Sequence, residues 1–168
     1  MIADKEIPIP KPEEKEVVKE SSGLNIMLLS IHGLIRASEP ELGRDPDTGG
    51  QTLYVLELAR ALGQRPDVEQ VDLVTRRIVD SKIDSIYEQR FEQLNDKSRI
   101  IRFHFGPKRY LRKESLWPYL DAMTDRIVQY IREQKKVPDI IHGHYADAGY
   151  VGAQLAHILG VPFVFTGH

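Results

Sequence analysis

The sequence predicts an α/β fold in which a doubly wound parallel sheet carries helices on both faces. Short apolar runs rich in β-branched residues alternate along the chain with longer segments whose apolar residues recur at helical spacing. Such alternation is typical of parallel strands joined by right-handed helical crossovers. The 168 residues are enough for one hydrophobic core, and the usual size of domains favours a single domain.

The first predicted strand and helix flank a long polar loop. Residues 25–31 form a largely apolar run, which is typical of a strand buried on both faces of a sheet. After the loop, apolar residues from Leu53 to Leu62 line one side of a helix, and Gly63 ends it.

The second and third strands are predicted from their β-branched and aromatic content at residues 71–75 and 99–105. The polar stretch 78–98 lies between them. We expect a loop there, with a short helix near residues 86–94.

The second half of the chain continues the alternation. Residues 116–131 carry apolar side chains at helical spacing and predict the longest helix, with Pro118 tolerated in its first turn. A fourth strand is expected at 139–142, a further helix at 149–159 and a fifth strand at 162–165.

Residues 1–23 differ in composition from the rest of the chain. They hold four basic and six acidic residues with three closely spaced prolines, so we expect a disordered charged tail. The predicted domain is then 24–168, which has 19 basic and 19 acidic residues. A neutral body without a basic stripe makes nucleic acid an unexpected partner.

Composition also excludes several classes of site. The absence of cysteine rules out disulfides and thiolate metal sites. The first apolar run is far shorter than the ~20 residues that span a bilayer, and no signal peptide is recognisable. We therefore expect no membrane partner and a cytoplasmic location.

Polar motifs follow four of the five predicted strands. Gly49-Gly50-Gln51 comes after the first strand, residues 108–113 after the third, residues 144–147 after the fourth, and His168 after the fifth. The carboxyl ends of parallel strands meet at one edge of the sheet, where ligands of doubly wound folds bind. The sequence therefore predicts a site for a polar ligand at this edge.

The glycine pair falls at the N-terminus of the first helix. Unpaired backbone N–H groups and the helix dipole favour an anion there, and glycine lets a phosphate approach closely. The alternative is a loop that only needs glycine at positive φ, and these residues alone do not decide. Both common nucleotide fingerprints fail, because Gln51 stands where a P-loop has lysine and Gly33 is alone after the first strand.

Two further motifs have open interpretations. The cations from Lys108 to Lys113 could be a solvated basic turn or a clamp for the phosphate of a sugar phosphate. His142, His144 and Asp147 could suggest a metal site, but their order breaks the pattern of metal hydrolases. We therefore predict no metal there and favour histidines held by ordinary hydrogen bonds.

Several separated blocks resemble the N-terminal domain of sucrose-phosphate synthases, particularly the short microbial and cyanobacterial-type enzymes. The blocks are residues 43–62, 73–78, 113–120, 144–150 and 166–168. The resemblance implies a Rossmann-like domain that forms the N-terminal half of a retaining GT-B glycosyltransferase of family 4. It covers nearly all of the chain beyond the tail.

The resemblance implies an enzyme that transfers glucose from UDP-glucose to fructose 6-phosphate, giving sucrose 6-phosphate. It also implies a second Rossmann domain that binds the nucleotide. We therefore expect the domain to be incomplete at its C-terminus and the chain alone to be inactive. UDP-glucose is a co-substrate, and no separate cofactor is expected.

The resemblance also assigns residues to the two substrates. Gly49 and Gly50 are expected at the donor, against its phosphates and reacting region. Gln51, Lys113 and Tyr145 are expected at the acceptor, with Lys113 on the acceptor phosphate.

Three more residues receive roles by resemblance. His168 is the candidate catalytic residue, placed beside the reacting carbon for positioning and electrostatics and not as a base. Lys108 and Asp147 are expected to support the site, Asp147 as an organiser of its loop.

Two other functions remain open. A sucrose synthase would use free fructose, although the Arg76-Arg77-Ile78 block and the cation-rich loop favour a phosphorylated acceptor. A non-catalytic sugar-phosphate-binding module is the alternative from another class of protein.

Overall fold

The computed structural model describes residues 23–168 of the chain. Apart from Gly23, the predicted tail lies outside the described residues. The strands are β1 (Leu24–Leu29), β2 (Val68–Arg76), β3 (Phe91–Gln93), β4 (Ser98–Phe103), β5 (Ile140–His144) and β6 (Phe163–Thr166). The α-helices are α1 (Gly50–Gly63), α2 (Lys113–Leu116), α3 (Leu120–Gln134) and α4 (Tyr145–Leu159).

The strands form one sheet in the order β3-β4-β2-β1-β5-β6. All neighbouring pairs are parallel except β3 and β4, which are antiparallel. The chain runs outward from β1 through β2 to β4, and then returns to place β5 on the other side of β1. The predicted doubly wound α/β fold is confirmed, and its switch point lies between β1 and β5.

Alternate residues of β1 enter two cores on opposite faces of the sheet. Leu28 packs with Val55 of α1 and with Leu73 of β2. Leu29 points to the other face and belongs to the core that includes Ile127 of α3 and Val151 of α4. Helices on both faces explain why residues 26–29 of β1 are all apolar, since both faces are buried there.

The prediction of a short helix near residues 86–94 is wrong. A 3-10 turn spans Ser85–Glu88, where the Asp84 side chain accepts the backbone N–H of Ile86 at 2.9 Å, and the edge strand β3 follows. Residues 91–93 form a strand because they pair antiparallel with β4. Tertiary pairing therefore overrides the weak helical spacing in the sequence.

Two predicted helix boundaries also differ from the structure. The long helix expected from Leu116 is interrupted, since a 3-10 turn at Trp117–Tyr119 contains Pro118 and α3 begins only at Leu120. Residues 145–148, expected as loop, are already part of α4. Within residues 23–168, no helix has the length and apolar character needed to cross a membrane.

Candidate active site

The switch point of the sheet brings two chain segments together at its carboxyl edge. Residues 30–49 leave β1 and lead to the N-terminus of α1, and β5 passes without a loop into α4. Lys113 of α2 joins them there. We call this group of contacting side chains the crevice and define it by His32, Asp47, Lys113, Tyr145 and Asp147.

The long loop after β1 is fixed by internal hydrogen bonds. The Thr48 hydroxyl accepts the backbone N–H of Leu34 at 3.0 Å and donates to the Asp45 carboxylate at 3.0 Å. Asp45 in turn accepts the Tyr110 hydroxyl at 2.8 Å. The start of α1 is therefore held by the loop and by the segment that follows β4.

Gly49 is the N-cap of α1 and Gly50 is its first residue. A Cβ at either position would meet no atom within 4 Å, and neither residue has positive φ. The interpretation that this pair serves positive φ is therefore wrong. Among the described residues no acceptor binds the backbone N–H groups of Gly50 and Gln51, which leaves an open helix N-terminus.

Positive φ is required instead at Gly33. Its φ is +80°, and a Cβ there would lie 2.4 Å from the carbonyl oxygen of Asp47. Glycine thus lets the two ends of the loop pass in close contact, which places Asp47 beside the end of β1.

Gln51 links the first turn of α1 to both central strands. Its Nε2 donates to the Ser30 hydroxyl at 3.3 Å and approaches the His144 carbonyl oxygen at 3.5 Å. Ser30 follows β1 and His144 ends β5, so the amide of Gln51 is placed over the switch point.

Lys113 begins α2 and reaches into the crevice. Its backbone N–H donates to Asp47 at 3.0 Å, its Nζ lies 3.5 Å from the other Asp47 oxygen, and the ammonium lies 5.1 Å from the Tyr145 ring centroid. Burial alone would lower the pKa of Lys113, but Tyr145 and Asp47 outweigh it and raise that pKa. A charged ammonium is thus held in one place by a buried carboxylate and an aromatic face.

Asp147 and His32 form a buried pair. His32 Nδ1 lies 2.7 Å from an Asp147 oxygen, and the other oxygen accepts the backbone N–H of Ala148 at 2.7 Å. The His32 ring meets the Tyr145 ring edge to face at 4.8 Å. The carboxylate therefore fixes the orientation of the imidazole and leaves Nε2 as the nitrogen that a ligand can use.

Tyr145 joins the two polar pairs and has an unusual backbone. Its φ is +74°, in the left-handed region that non-glycine residues rarely occupy. Such a conformation costs about 1–3 kcal/mol and is found most often at functional sites. The strain places the tyrosine ring between His32 and Lys113.

A group of three histidines lies beside the N-terminus of α1. His142 and His144 are 4.1 Å apart between ring centroids, and His144 Nδ1 lies 3.0 Å from His168 Nε2. Burial, helped by the neighbouring His142 and His168, lowers the pKa of His144 to about 3. Burial also lowers the pKa of His168, so the group is neutral at physiological pH.

The predicted site residues are mostly neighbours in space. Lys113, Tyr145 and Asp147 line the crevice, and Gln51 and His168 both contact His144. Lys108 is the exception, because its side chain is exposed and only its carbonyl oxygen is used, by the N–H of Val79 at 2.9 Å. The roles assigned to these residues remain predictions.

The metal alternative finds no support in the described part of the chain. No group of three or more histidine, aspartate or glutamate side chains in residues 23–168 could hold a metal ion. His142 uses its Nε2 on the Thr166 hydroxyl at 2.8 Å, which agrees with the predicted strand-end histidine held by a hydrogen bond.

Sequence reasoning missed His32 and Asp47. Both are buried, and each binds a residue that had been singled out, Asp147 and Lys113 respectively. A signal existed for His32, since it directly follows the central strand, at the edge where the other motifs converge. Asp47 had no comparable signal in a loop rich in acidic residues.

Comparison with known proteins identifies the family of this chain. A family model described as the sucrose synthase first GT-B domain matches residues 14–168. The chain is 46% identical to a probable sucrose-phosphate synthase 2 from Arabidopsis thaliana and 45% identical to the sucrose-phosphate synthase from Spinacia oleracea. Both alignments cover 86% of this chain, which spans only 16% of the length of each relative.

The solved structure of a sucrose-phosphate synthase from Thermosynechococcus elongatus has a similar fold. It superposes with a TM-score of 0.71 at 27% identity, over 86% of this chain and 33% of that one. The predicted resemblance to sucrose-phosphate synthases is therefore confirmed, by plant relatives in sequence and by a cyanobacterial enzyme in structure. Because the family model covers well over half of its residues, the chain belongs to the sucrose synthase first GT-B domain family.

Proposed function

We propose that this chain is the acceptor-binding part of a sucrose-phosphate synthase, which transfers glucose from UDP-glucose to fructose 6-phosphate with retention of configuration. The observation that carries the proposal is the placement of Lys113. A charged ammonium, fixed by Asp47 and Tyr145, faces a crevice at the switch point of the sheet. A phosphate dianion on a sugar is a suitable ligand for such a group.

The acceptor is held between two elements in this proposal. Lys113 binds the phosphate of fructose 6-phosphate, and Tyr145 and Gln51 contact the sugar. Support comes from the fixed positions of these side chains, since Gln51 is anchored to Ser30 and Tyr145 is packed against His32. Groups that are already oriented lose little freedom when the substrate binds.

The donor lies against the N-terminus of α1. Gly49 and Gly50 leave open space where a Cβ would stand, and the N–H groups of Gly50 and Gln51 face this space without a protein acceptor among the described residues. A phosphate or developing anion of UDP-glucose accepts these N–H groups and gains from the helix dipole.

Histidines position and stabilise the reacting sugar. His168 acts beside the transferred glucose, and its contact with neutral His144 keeps its ring oriented without adding positive charge. His32 acts as a further positioning residue through its pair with Asp147. The proposal requires neither a metal nor a separate cofactor.

A second domain supplies the rest of the donor site in this proposal. The chain spans 16% of the plant relatives, so transfer requires groups from a longer protein. Aligned reactants account for ~7–11 kcal/mol of barrier lowering, and one wall of a site cannot supply that alignment. Incubation of the chain with UDP-glucose and fructose 6-phosphate should yield no sucrose 6-phosphate. Turnover near that of whole enzymes would contradict the two-domain proposal.

Titration calorimetry with the chain itself tests acceptor binding. Fructose 6-phosphate should bind and free fructose should bind much more weakly. Lys113→Ala should weaken fructose 6-phosphate by roughly 1.5–3 kcal/mol, the usual value of a charged hydrogen bond. Lys108→Ala is the matched control and should change nothing, because Lys108 is exposed outside the crevice.

Two outcomes of the titration oppose the proposal. Equal affinity for free fructose and fructose 6-phosphate would favour the sucrose synthase alternative. Equal losses in the Lys113→Ala and Lys108→Ala variants would mean that general charge, and not the crevice, attracts the phosphate.

A further inference from the structure

A second basic region lies on the outer flank of the sheet, apart from the crevice. Residues from four elements line a cavity of about 300 Å³. Arg77 follows β2, Arg90 precedes β3, His104 follows β4, and Arg126 lies on α3. We call this cavity the arginine groove and define it by these four residues; none of them belongs to the crevice.

Arg90 is held by aromatic rings and by no counter-ion. Its guanidinium carbon lies 5.4 Å from the centroid of Phe91, 5.9 Å from that of Phe103 and 5.4 Å from that of Tyr130. Within residues 23–168 it forms no ion pair or side-chain hydrogen bond. Contact of the rings with the guanidinium orients it and leaves N–H groups for a ligand.

The other two arginines also lack a carboxylate partner. Arg77 donates its Nε to the carbonyl oxygen of Glu88, which does not neutralise its charge. Arg126 is exposed on α3 and has no ion pair in the described part of the chain. These three guanidinium groups therefore line one cavity together with Arg102, and none of the three is paired with a carboxylate among residues 23–168.

Acidic residues offset only part of this positive charge. Glu133 is the one acidic residue on the wall, and it accepts a hydrogen bond from Gln129 at 3.0 Å. Glu92 forms an ion pair with Arg102, which also lines the groove. Burial lowers the pKa of His104. The positive charges of Arg76, Lys108, Arg77 and Arg126 lower that pKa further.

His104 supplies an independent sign of a missing partner. Its Nε2 is buried and has no hydrogen-bond partner among residues 23–168. A buried polar atom without a partner is uncommon in folded proteins, because its lost hydration is not replaced. His104 therefore leaves one unsatisfied polar atom in the wall of the groove.

We propose that the arginine groove binds the phosphate group of a small anion, either inorganic phosphate or a phosphomonoester. Guanidinium groups match phosphate oxygens in bidentate geometry, and an anion relieves the repulsion among Arg77, Arg90 and Arg126. The cavity has room for a phosphate with a small organic group. This site is independent of the function proposed for the crevice.

Calorimetric titration with sodium phosphate tests the groove separately from the crevice. The chain carrying Lys113→Ala serves as the starting protein, so that the crevice lysine does not contribute. At pH 7.5 and 0.15 M NaCl, where exposed charges are screened beyond about 8 Å, one saturable site is expected. Adding Arg90→Gln and Arg126→Gln should weaken phosphate at least tenfold, and Arg126→Gln alone should weaken it several-fold without disturbing the fold.

A matched control separates a specific site from net charge. Arg132→Gln removes one exposed cation from the same helix, away from the groove, and should change phosphate affinity less than twofold. An equal loss in the Arg126→Gln and Arg132→Gln variants would overturn the proposal. Absence of saturable phosphate binding in the Lys113→Ala protein would also overturn it, whatever fructose 6-phosphate does at the crevice.

Glycerol 3-phosphate distinguishes the two sources of the phosphate group. Tighter binding than inorganic phosphate, with the same dependence on Arg90 and Arg126, would identify a phosphomonoester site. Equal or weaker binding with that dependence would identify an inorganic phosphate site. Binding of either ligand that ignores both arginines would count against the groove.

Discussion

The crevice and the arginine groove both hold basic side chains beyond the carboxyl ends of strands, but these side chains differ in whether a carboxylate of the protein is paired with them. In the crevice, Lys113 is paired with buried Asp47, and His32 is paired with buried Asp147. In the groove, Arg90 and Arg126 have no carboxylate partner among residues 23–168. The basic side chains of the crevice are therefore paired with carboxylates, whereas Arg90 and Arg126 of the groove are not.

This difference separates two uses of a cation. A cation fixed by a buried carboxylate keeps one position, at the cost of part of its attraction for a ligand, and that suits a site that must orient a substrate. A cation without a partner gains most from any anion that arrives, and that suits a site that detects charge.

The largest effect is expected from Gly33→Ala, because the crevice depends on a close backbone approach. A Cβ would lie 2.4 Å from the Asp47 carbonyl oxygen, and φ is +80°. We expect the free energy of unfolding to fall by about 3–5 kcal/mol in urea titrations. Gly50→Ala is the control and should change it by at most ~1 kcal/mol, since its Cβ would meet open space. Similar behaviour of the two variants would mean that the loop can relax around Gly33.

Asp147→Asn should follow, because it removes a buried charged partner of His32. The lost hydrogen bond to a charged group is worth about 1.5–3 kcal/mol of unfolding free energy. Asp125→Asn, an exposed acid on α3, should change stability by less than ~0.5 kcal/mol. If both variants unfold at the same urea concentration, the crevice is not internally compensated in the way described.

The group of three histidines beside α1 should respond to acid through His144. The native pKa of about 3 lies below the ordinary 6.5, so the unfolded chain binds more protons between these values and stability falls as pH falls. From pH 7.5 to pH 5 this histidine alone should reduce the unfolding free energy by roughly 2 kcal/mol. Urea titrations at the two pH values should show a smaller loss in His144→Asn than in the unchanged chain. An identical loss would indicate that His144 accepts a proton without cost in the folded state.

The smallest effect belongs to the groove. Removing a cation from an uncompensated cluster should stabilise the protein, so Arg126→Gln should raise the unfolding free energy by about 0.2–0.5 kcal/mol at low salt. The gain should vanish near 1 M NaCl, where the Debye length is about 3 Å. A loss of stability that persists in high salt would show that Arg126 has a partner.

The layered fold could be predicted from the sequence because each strand and helix carries its own local pattern. The largely apolar run of β1 indicates burial on two faces. The polar motifs that follow the strands indicate the edge of the sheet at which they converge. The strand β3 was missed because three residues become a strand only by pairing with β4. Local pattern contains no information on that pairing.

The site was predicted in part for a related reason. Lys113 and Tyr145 could be identified by resemblance, and Gly50 by its place at a helix N-terminus. The partners that hold them could not, since His32 and Asp147 are 115 residues apart in the chain and Asp47 and Lys113 are 66 apart. Such pairs exist only after the sheet has brought distant segments together.

The central position of β1 has a consequence for how the protein is made. Its partner β5 is synthesised long afterwards, and the hydrogen bond from the Asn25 backbone N–H to Asp139 spans 114 residues at 2.8 Å. At about 5–20 residues per second, one side of an apolar strand waits on the order of 10 s on the ribosome for its neighbour. The strand that organises the crevice is therefore also a segment exposed to aggregation or chaperone capture during translation.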